Sequence, residues 1–213
     1  ETITPQLTWS TVVDGFTFNP TGLNVIYLYA ASPTISNNKI NGGSYPIYNS
    51  YGSNGLIRDN IINGTPVGTS SLAYAIQNLA SDPTITNNVI YMRTTSTSTT
   101  GIYNSNGANP TITNNTISMC SGCSASSSIA INNSASSPII RNNWIHGGSG
   151  SPSYGIYNVT SATAVITNNI IFGGQGPDSA GIYETNAASA VITNNVVIGG
   201  SGGHSGYSTD GLL

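Results

Sequence analysis

The sequence predicts an all-β solenoid, a parallel β-helix of about eight coils with three short parallel strands in each, and three observations predict it. An asparagine recurs at Asn38, Asn60, Asn88, Asn115, Asn143, Asn169 and Asn195, at spacings of 22, 28, 27, 28, 26 and 26 residues. These are shorter than the repeats of helical arrays and suit one coil of a large β-solenoid. Three columns of β-branched residues keep step with that asparagine. Finally, 4 Lys or Arg and 7 Asp or Glu stand against 27 Asn and 25 Gly in 213 residues, so the exterior is polar but hardly ionised.

The repeating unit reads Pro33-Thr-Ile-Ser-Asn-Asn38, Pro83-Thr-Ile-Thr-Asn-Asn88, Pro110-Thr-Ile-Thr-Asn-Asn115 and Val191-Ile-Thr-Asn-Asn195, with a degenerate first copy at Val12-Val-Asp-Gly-Phe-Thr-Phe18. The first strand carries an inward residue three before the asparagine: Val13, Ile35, Ile57, Ile85, Ile112, Ile140, Ile166 and Ile192. The second carries one two residues after it: Phe18, Ile40, Ile62, Ile90, Ile117, Ile145, Ile171 and Val197. The third strand precedes the asparagine by 12 or 13 residues and is expected to point Val25, Ile47, Ile76, Ile102, Ile131, Ile156 and Ile182 inward. Coils stacked about 4.8 Å apart bury these residues as continuous stripes, which a lone coil could not do.

Asparagine tolerates a left-handed backbone, so the recurring Asn is expected to turn the corner between the first two strands. Stacked copies can also bond side chain to side chain in a ladder. This column is read as structural. The stretch from the third column to the asparagine is constant, whereas the stretch from the asparagine to the next third strand varies from 9 to 16 residues. That free corner holds the Gly, Ser and Thr tracts, and variable loops on a rigid scaffold are where binding commonly resides.

With its Ile-x-Asn-Asn-x-Ile repeats, the chain resembles the right-handed parallel β-helix superfamily, the pectate-lyase-like fold, over essentially its whole length. The resemblance implies a single domain over residues 1–213 and a right-handed coil. It does not by itself imply an activity, because lyases, hydrolases, tailspikes, adhesins and surface repeats share this scaffold.

A net charge of −3 with four cations offers no grip on phosphates, so neither nucleic acid nor an anionic membrane is expected as a partner. No apolar run approaches the roughly 20 residues that span a bilayer. Polysaccharide-cleaving enzymes that resemble this scaffold need clustered carboxylates, or aspartate-bound calcium with a basic residue. Here Glu1, Asp14, Asp59, Asp82, Asp178, Glu184 and Asp210 never share a column in neighbouring coils. Arg58 and Arg141 share one but lie three coils apart. Neither His146 nor His204 has an evident acidic partner. No catalytic residue, metal or cofactor is therefore expected. Cys120 and Cys123 are expected to form a local disulfide within one loop, in keeping with an oxidising compartment.

Alternation along a strand points the neighbours of inward residues outward. Beside the third column this gives Ile26, Tyr48, Gln77, Tyr103, Asn132, Tyr157 and Tyr183. Tyr48, Tyr103, Tyr157 and Tyr183 could stack on sugar rings, and the same spacing also suits tyrosines that only pack on each other. Asn63, Asn114, Asn132 and Asn158 each begin an Asn-x-Ser/Thr glycosylation pattern.

Ile3 falls at the phase of a third-column residue, and Gly211-Leu212 matches Gly101-Ile102 and Gly155-Ile156. No cap is visible in the sequence. Ile3, Leu212 and Leu213 are read as open ends at which copies stack head to tail, a contact that propagates into a filament. A longer surface protein supplying its own caps is the competing explanation. The sequence thus points to a non-catalytic structural or adhesive module, extracellular or at the cell surface, whose partners are copies of itself. Binding or cleavage of a polysaccharide along the tyrosine-bearing face is the alternative.

Overall fold

The computed structural model describes residues 10–65, 72–93, 98–122 and 125–201. Every described strand pairs in parallel with its counterpart one coil away, giving two eight-stranded sheets and one seven-stranded sheet. The first sheet runs from Val12–Asp14 to Val191–Thr193, the second from Thr17–Phe18 to Val196–Ile198, and the third from Asn24–Tyr29 to Ser179–Glu184. Among the described residues no helix is long and apolar enough to cross a membrane.

Short strands with one or two inward side chains form here because a rung can bury an isoleucine only between the isoleucines above and below it. Ile57 sits between Ile35 and Ile85 in the first sheet, and Ile90 between Ile62 and Ile117 in the second. All of these are fully buried. Burying each such side chain is worth about 1.5–3 kcal/mol, so the three stripes supply most of the drive to coil.

The third column begins one residue later than expected. Ile26, not Val25, pairs with Ile47, and Tyr27 rather than Ile26 heads the outward row above Tyr48. Val25 instead aligns with a row of small inward residues that includes Ala75, Gly101, Ala130, Gly155 and Gly181. A Cβ on Gly101 would lie 2.8 Å from Cγ2 of Ile117, and one on Gly155 2.5 Å from Cγ2 of Ile171. The third strand therefore has two consecutive inward positions, and after Val25 and Pro46 the first is Ala or Gly, which clears the isoleucines of the second sheet.

The corner between the first two sheets divides its work between two adjacent residues. The left-handed conformation belongs to the first of the pair, at φ 54–57° for Asn37, Asp59, Asn87, Asn114, Asn142, Asn168 and Asn194. The expectation that Asn38 and its equivalents make this turn is therefore corrected. Those residues point inward and build the ladder. Oδ1 of Asn88 accepts the backbone N–H and the Nδ2 of Asn60, both at 3.0 Å. Nδ2 of Asn88 donates onward to Oδ1 of Asn115 at 3.0 Å and back to the carbonyl of Ile57 at 2.9 Å. The pattern repeats from Asn38 to Asn195. Each buried amide is thereby satisfied, which is the condition for placing it inside at all.

Candidate functional site

A second column of buried amides runs through the third sheet. Asn49, Asn78, Asn104, Asn133 and Asn158 are wholly buried. Each Nδ2 donates to Oδ1 of the next at 2.7–2.8 Å, and Asn158 donates to Oε1 of Glu184 at 2.9 Å. These residues lie two positions after the third-column isoleucines, hence inward by alternation. The recurring Ile-x-Asn of this strand was the signal for them in the sequence.

Outside the same sheet stand two rows of tyrosine, not one. The row through Tyr48, Tyr103, Tyr157 and Tyr183 also contains Tyr27, and a second row, three residues earlier in each strand, brings Tyr45, Tyr74 and Tyr154 beside it. The doubled inward position between them reverses the alternation, so both rows face out. Ring centroids of Tyr74 and Tyr103 are 4.6 Å apart and stacked, and those of Tyr154 and Tyr183 are 4.7 Å apart and stacked. Tyr45 and Tyr74 meet edge to face at 5.7 Å. The rows form one cluster around Tyr27, Tyr45, Tyr48, Tyr74 and Tyr103 and another of Tyr154, Tyr157 and Tyr183. Ile129 and Asn132 lie between them. Burial, reinforced by neighbouring phenols, pushes the hydroxyls of Tyr74 and Tyr154 up to about 12. Burial likewise raises Tyr48 and Tyr157. Much of each ring face is thus spent on another tyrosine, leaving edges and hydroxyls for a ligand.

On the second sheet a shallow groove is lined by Asn41, Asn63, Thr65, Tyr91 and Arg93. The Arg93 guanidinium stands 5.0 Å from the Tyr91 ring centroid. Nearby on the same sheet, Trp144, His146 and Phe172 cluster with centroids 5.6–6.0 Å apart. Nδ1 of His146 accepts the backbone N–H of Gly148 at 3.1 Å, so the ring proton sits on Nε2. Burial lowers the pKa of this imidazole and keeps it neutral.

Four of the five described acids are drawn into the fold's own bonding. Asp14 accepts from Ser36 at 2.6 Å and from Asn37 at 2.8 Å, and these bonds hold its carboxyl below the ordinary range. Asp59 pairs with Arg58 at 2.6 Å. Asp82 accepts the backbone N–H of Asn109 at 2.6 Å, and Glu184 accepts that of Ala190 at 3.0 Å. Arg58 and Arg141 stand in one outward file of the first sheet, with Thr86 and Thr113 between them. Among the described residues no three of His, Cys, Asp and Glu gather as a metal-binding group.

Cys120 is disulfide-bonded. Cys123 and the end residues Ile3, Leu212 and Leu213 lie outside the described residues, as do Glu1, His204 and Asp210. Of the four glycosylation patterns, Asn114 is exposed at its corner, whereas Asn63 is half-buried and donates to Oδ1 of Asn41 at 3.1 Å. Oδ1 of Asn132 is buried without a hydrogen-bond partner. Asn158 is corrected: its amide is wholly buried in the second column, where a glycan could not be accommodated.

No curated protein and no solved structure matches the chain. A family model described as right handed beta helix region matches residues 8–123 and 84–211, which together cover nearly all of it. With its uninterrupted parallel rungs, the chain belongs to the right-handed β-helix family.

Proposed function

We propose that this chain is a non-catalytic structural or adhesive module, extracellular or at the cell surface. The observation that carries the reading is the pair of continuous amide columns. Two internal rows of side-chain hydrogen bonds, from Asn38 to Asn195 and from Asn49 to Glu184, tie successive rungs together in addition to the backbone ladder. A fold that commits its interior polar groups to axial bonding behaves as a stiff rod. The carboxylates support the same reading, since Asp14, Asp59, Asp82 and Glu184 are engaged in fold-internal bonds. The disulfide at Cys120 fits an oxidising compartment. Rungs of such uniform geometry would also let a second copy continue the stack end to end, with copies of the chain as its partners. Electron microscopy of the purified protein tests this: fibres or a regular layer support it, and monodisperse particles at high concentration reject end-to-end assembly.

The tyrosine rows of the third sheet favour a second reading, binding of a neutral polysaccharide along the axis. Tyr48, Tyr103, Tyr157 and Tyr183 present ring edges and hydroxyls in one axial row, with the amides of Gln77 and Asn132 at the intervening rungs, polar and aromatic groups suited to an extended glycan. A glycan array paired with a reducing-sugar release assay separates the readings. Binding without release supports adhesion through this face, release identifies an enzyme, and silence in both leaves the scaffold.

A further inference from the structure

The outer face of the second sheet carries more exposed aliphatic and tryptophan side chains than that of the first, which exposes Val12, Ile139, Val165 and Val191. Ile61, Val89, Trp144, Ile170, Val196 and Ile198 are 45, 46, 38, 44, 55 and 46 % exposed. The first five stand in one outward file, broken only by Thr116, and Ile198 ends the neighbouring file after Phe172. From Ile61 to Ile198 neither file contains a Lys, Arg, Asp or Glu. Contiguous exposed apolar surface of this kind marks an interaction site more often than chance.

We propose that a second copy of this chain packs on this face, sheet against sheet, forming a side-by-side two-fold dimer. The area is sufficient. Six side chains at 38–55 % exposure, with the part-exposed rings of Tyr91 and Phe172, present on the order of 500–600 Å² per copy, near the ~600 Å² per partner at the low end of stable interfaces. The face carries two cations near its first rungs, Lys39 beside Ile61 in the same file and Arg93 against the Tyr91 ring, and an antiparallel two-fold keeps each of them away from its own copy, while His146 stays neutral in its half-buried place. The pitch selects the partner. Side chains repeat along this face at the rung interval of about 4.8 Å, and another copy presents the same interval, so the two sets interdigitate at the roughly 10 Å spacing of packed sheets. A two-fold arrangement is self-complementary and closes at two copies. The other faces are poorer candidates. The first sheet projects Arg58 and Arg141, and the rings of the third are stacked on each other.

The test is light scattering coupled to size-exclusion chromatography of the full chain, loaded at about 100 µM in about 0.5 M salt, where surface ion pairs are screened. The expected wild-type mass is that of two chains, or a multiple of two where such dimers also stack end to end. Ile170→Lys and, separately, Val89→Lys are expected to give single-chain mass with an unchanged circular dichroism spectrum. Thr113→Lys, on the first sheet, is expected to remain dimeric. A wild-type mass of one chain overturns the proposal, and so does a dimer that survives both substitutions in the second sheet. A mass that grows with concentration beyond two chains and ignores Ile170→Lys also overturns it, while favouring end-to-end stacking, so the two assemblies fail separately.

Discussion

Asn158 donates from Nδ2 to Oε1 of Glu184 at 2.9 Å, and that carboxylate closes a column of amides all pointing the same way. An ionised acceptor suits the donating end, because charge-assisted bonds are the stronger ones. At the opposite end Oδ1 of Asn49 is buried with no hydrogen-bond partner, under Leu28, which occupies the equivalent place one rung earlier. The column is therefore polarised, with a charged acceptor at one end and an unmet acceptor at the other.

Breaking this column in the middle is expected to be costly. Asn104→Ala leaves Nδ2 of Asn78 without its acceptor and Oδ1 of Asn133 without its donor, both inside the core. The loss should be about 2–5 kcal/mol in denaturant unfolding. Thr113→Ala on the exterior should change stability by less than about 0.5 kcal/mol. A loss below about 1 kcal/mol for Asn104→Ala would show that the column is not bonded as described.

The two residues of the Asn-Asn corner should respond oppositely to glycine. Asn87 holds φ at 56°, so Asn87→Gly is expected to fall within about 0.5 kcal/mol of wild type, and Asn87→Val to lose about 1–2 kcal/mol. Asn88→Gly removes four hydrogen bonds to other rungs and should cost more than either. The comparison is read from thermal midpoints, and a reversed order would reassign the corner.

Alkaline titration should distinguish the stacked tyrosines. Tyr74 and Tyr154 have folded-state values of about 12 against an ordinary 10. The neutral phenol is the form the fold favours, so their contribution to stability is complete below pH 10 and is lost as pH rises towards 12. Ultraviolet titration should show a late-ionising fraction coincident with alkaline unfolding. Tyr74→Phe together with Tyr154→Phe should shrink that fraction. A single ionisation step near pH 10 for all tyrosines would contradict the packing.

The rungs were legible because the asparagine period and the isoleucine columns repeat the same physical demand seven times over. The first entry of the third column was read one residue early because Val25 and Ile26 are both apolar and both satisfy a spacing of 12 or 13. Only the pairing of Asn24 with Tyr45 fixes the register. The Asn49 to Asn158 column was hidden by the assumption that inward means apolar, although each of its members follows a third-column isoleucine by two. Tyr45, Tyr74 and Tyr154 escaped for a different reason. Strict alternation places residues three apart on opposite faces, and the doubled inward position at Gly101 and Ile102 breaks that alternation. The corner asparagines were assigned one residue late, since sequence alone does not say which of two adjacent asparagines turns and which points inward.

The most direct measurement is hydrogen exchange of asparagine side-chain amides by nuclear magnetic resonance. The Nδ2 protons of Asn60, Asn88, Asn115 and Asn143, and of Asn78, Asn104 and Asn133, are expected to exchange only through unfolding of the coil. They should be slowed by at least about a thousandfold relative to the exposed Asn114, as befits core groups. Exchange of those protons at the rate of Asn114 would contradict this expectation.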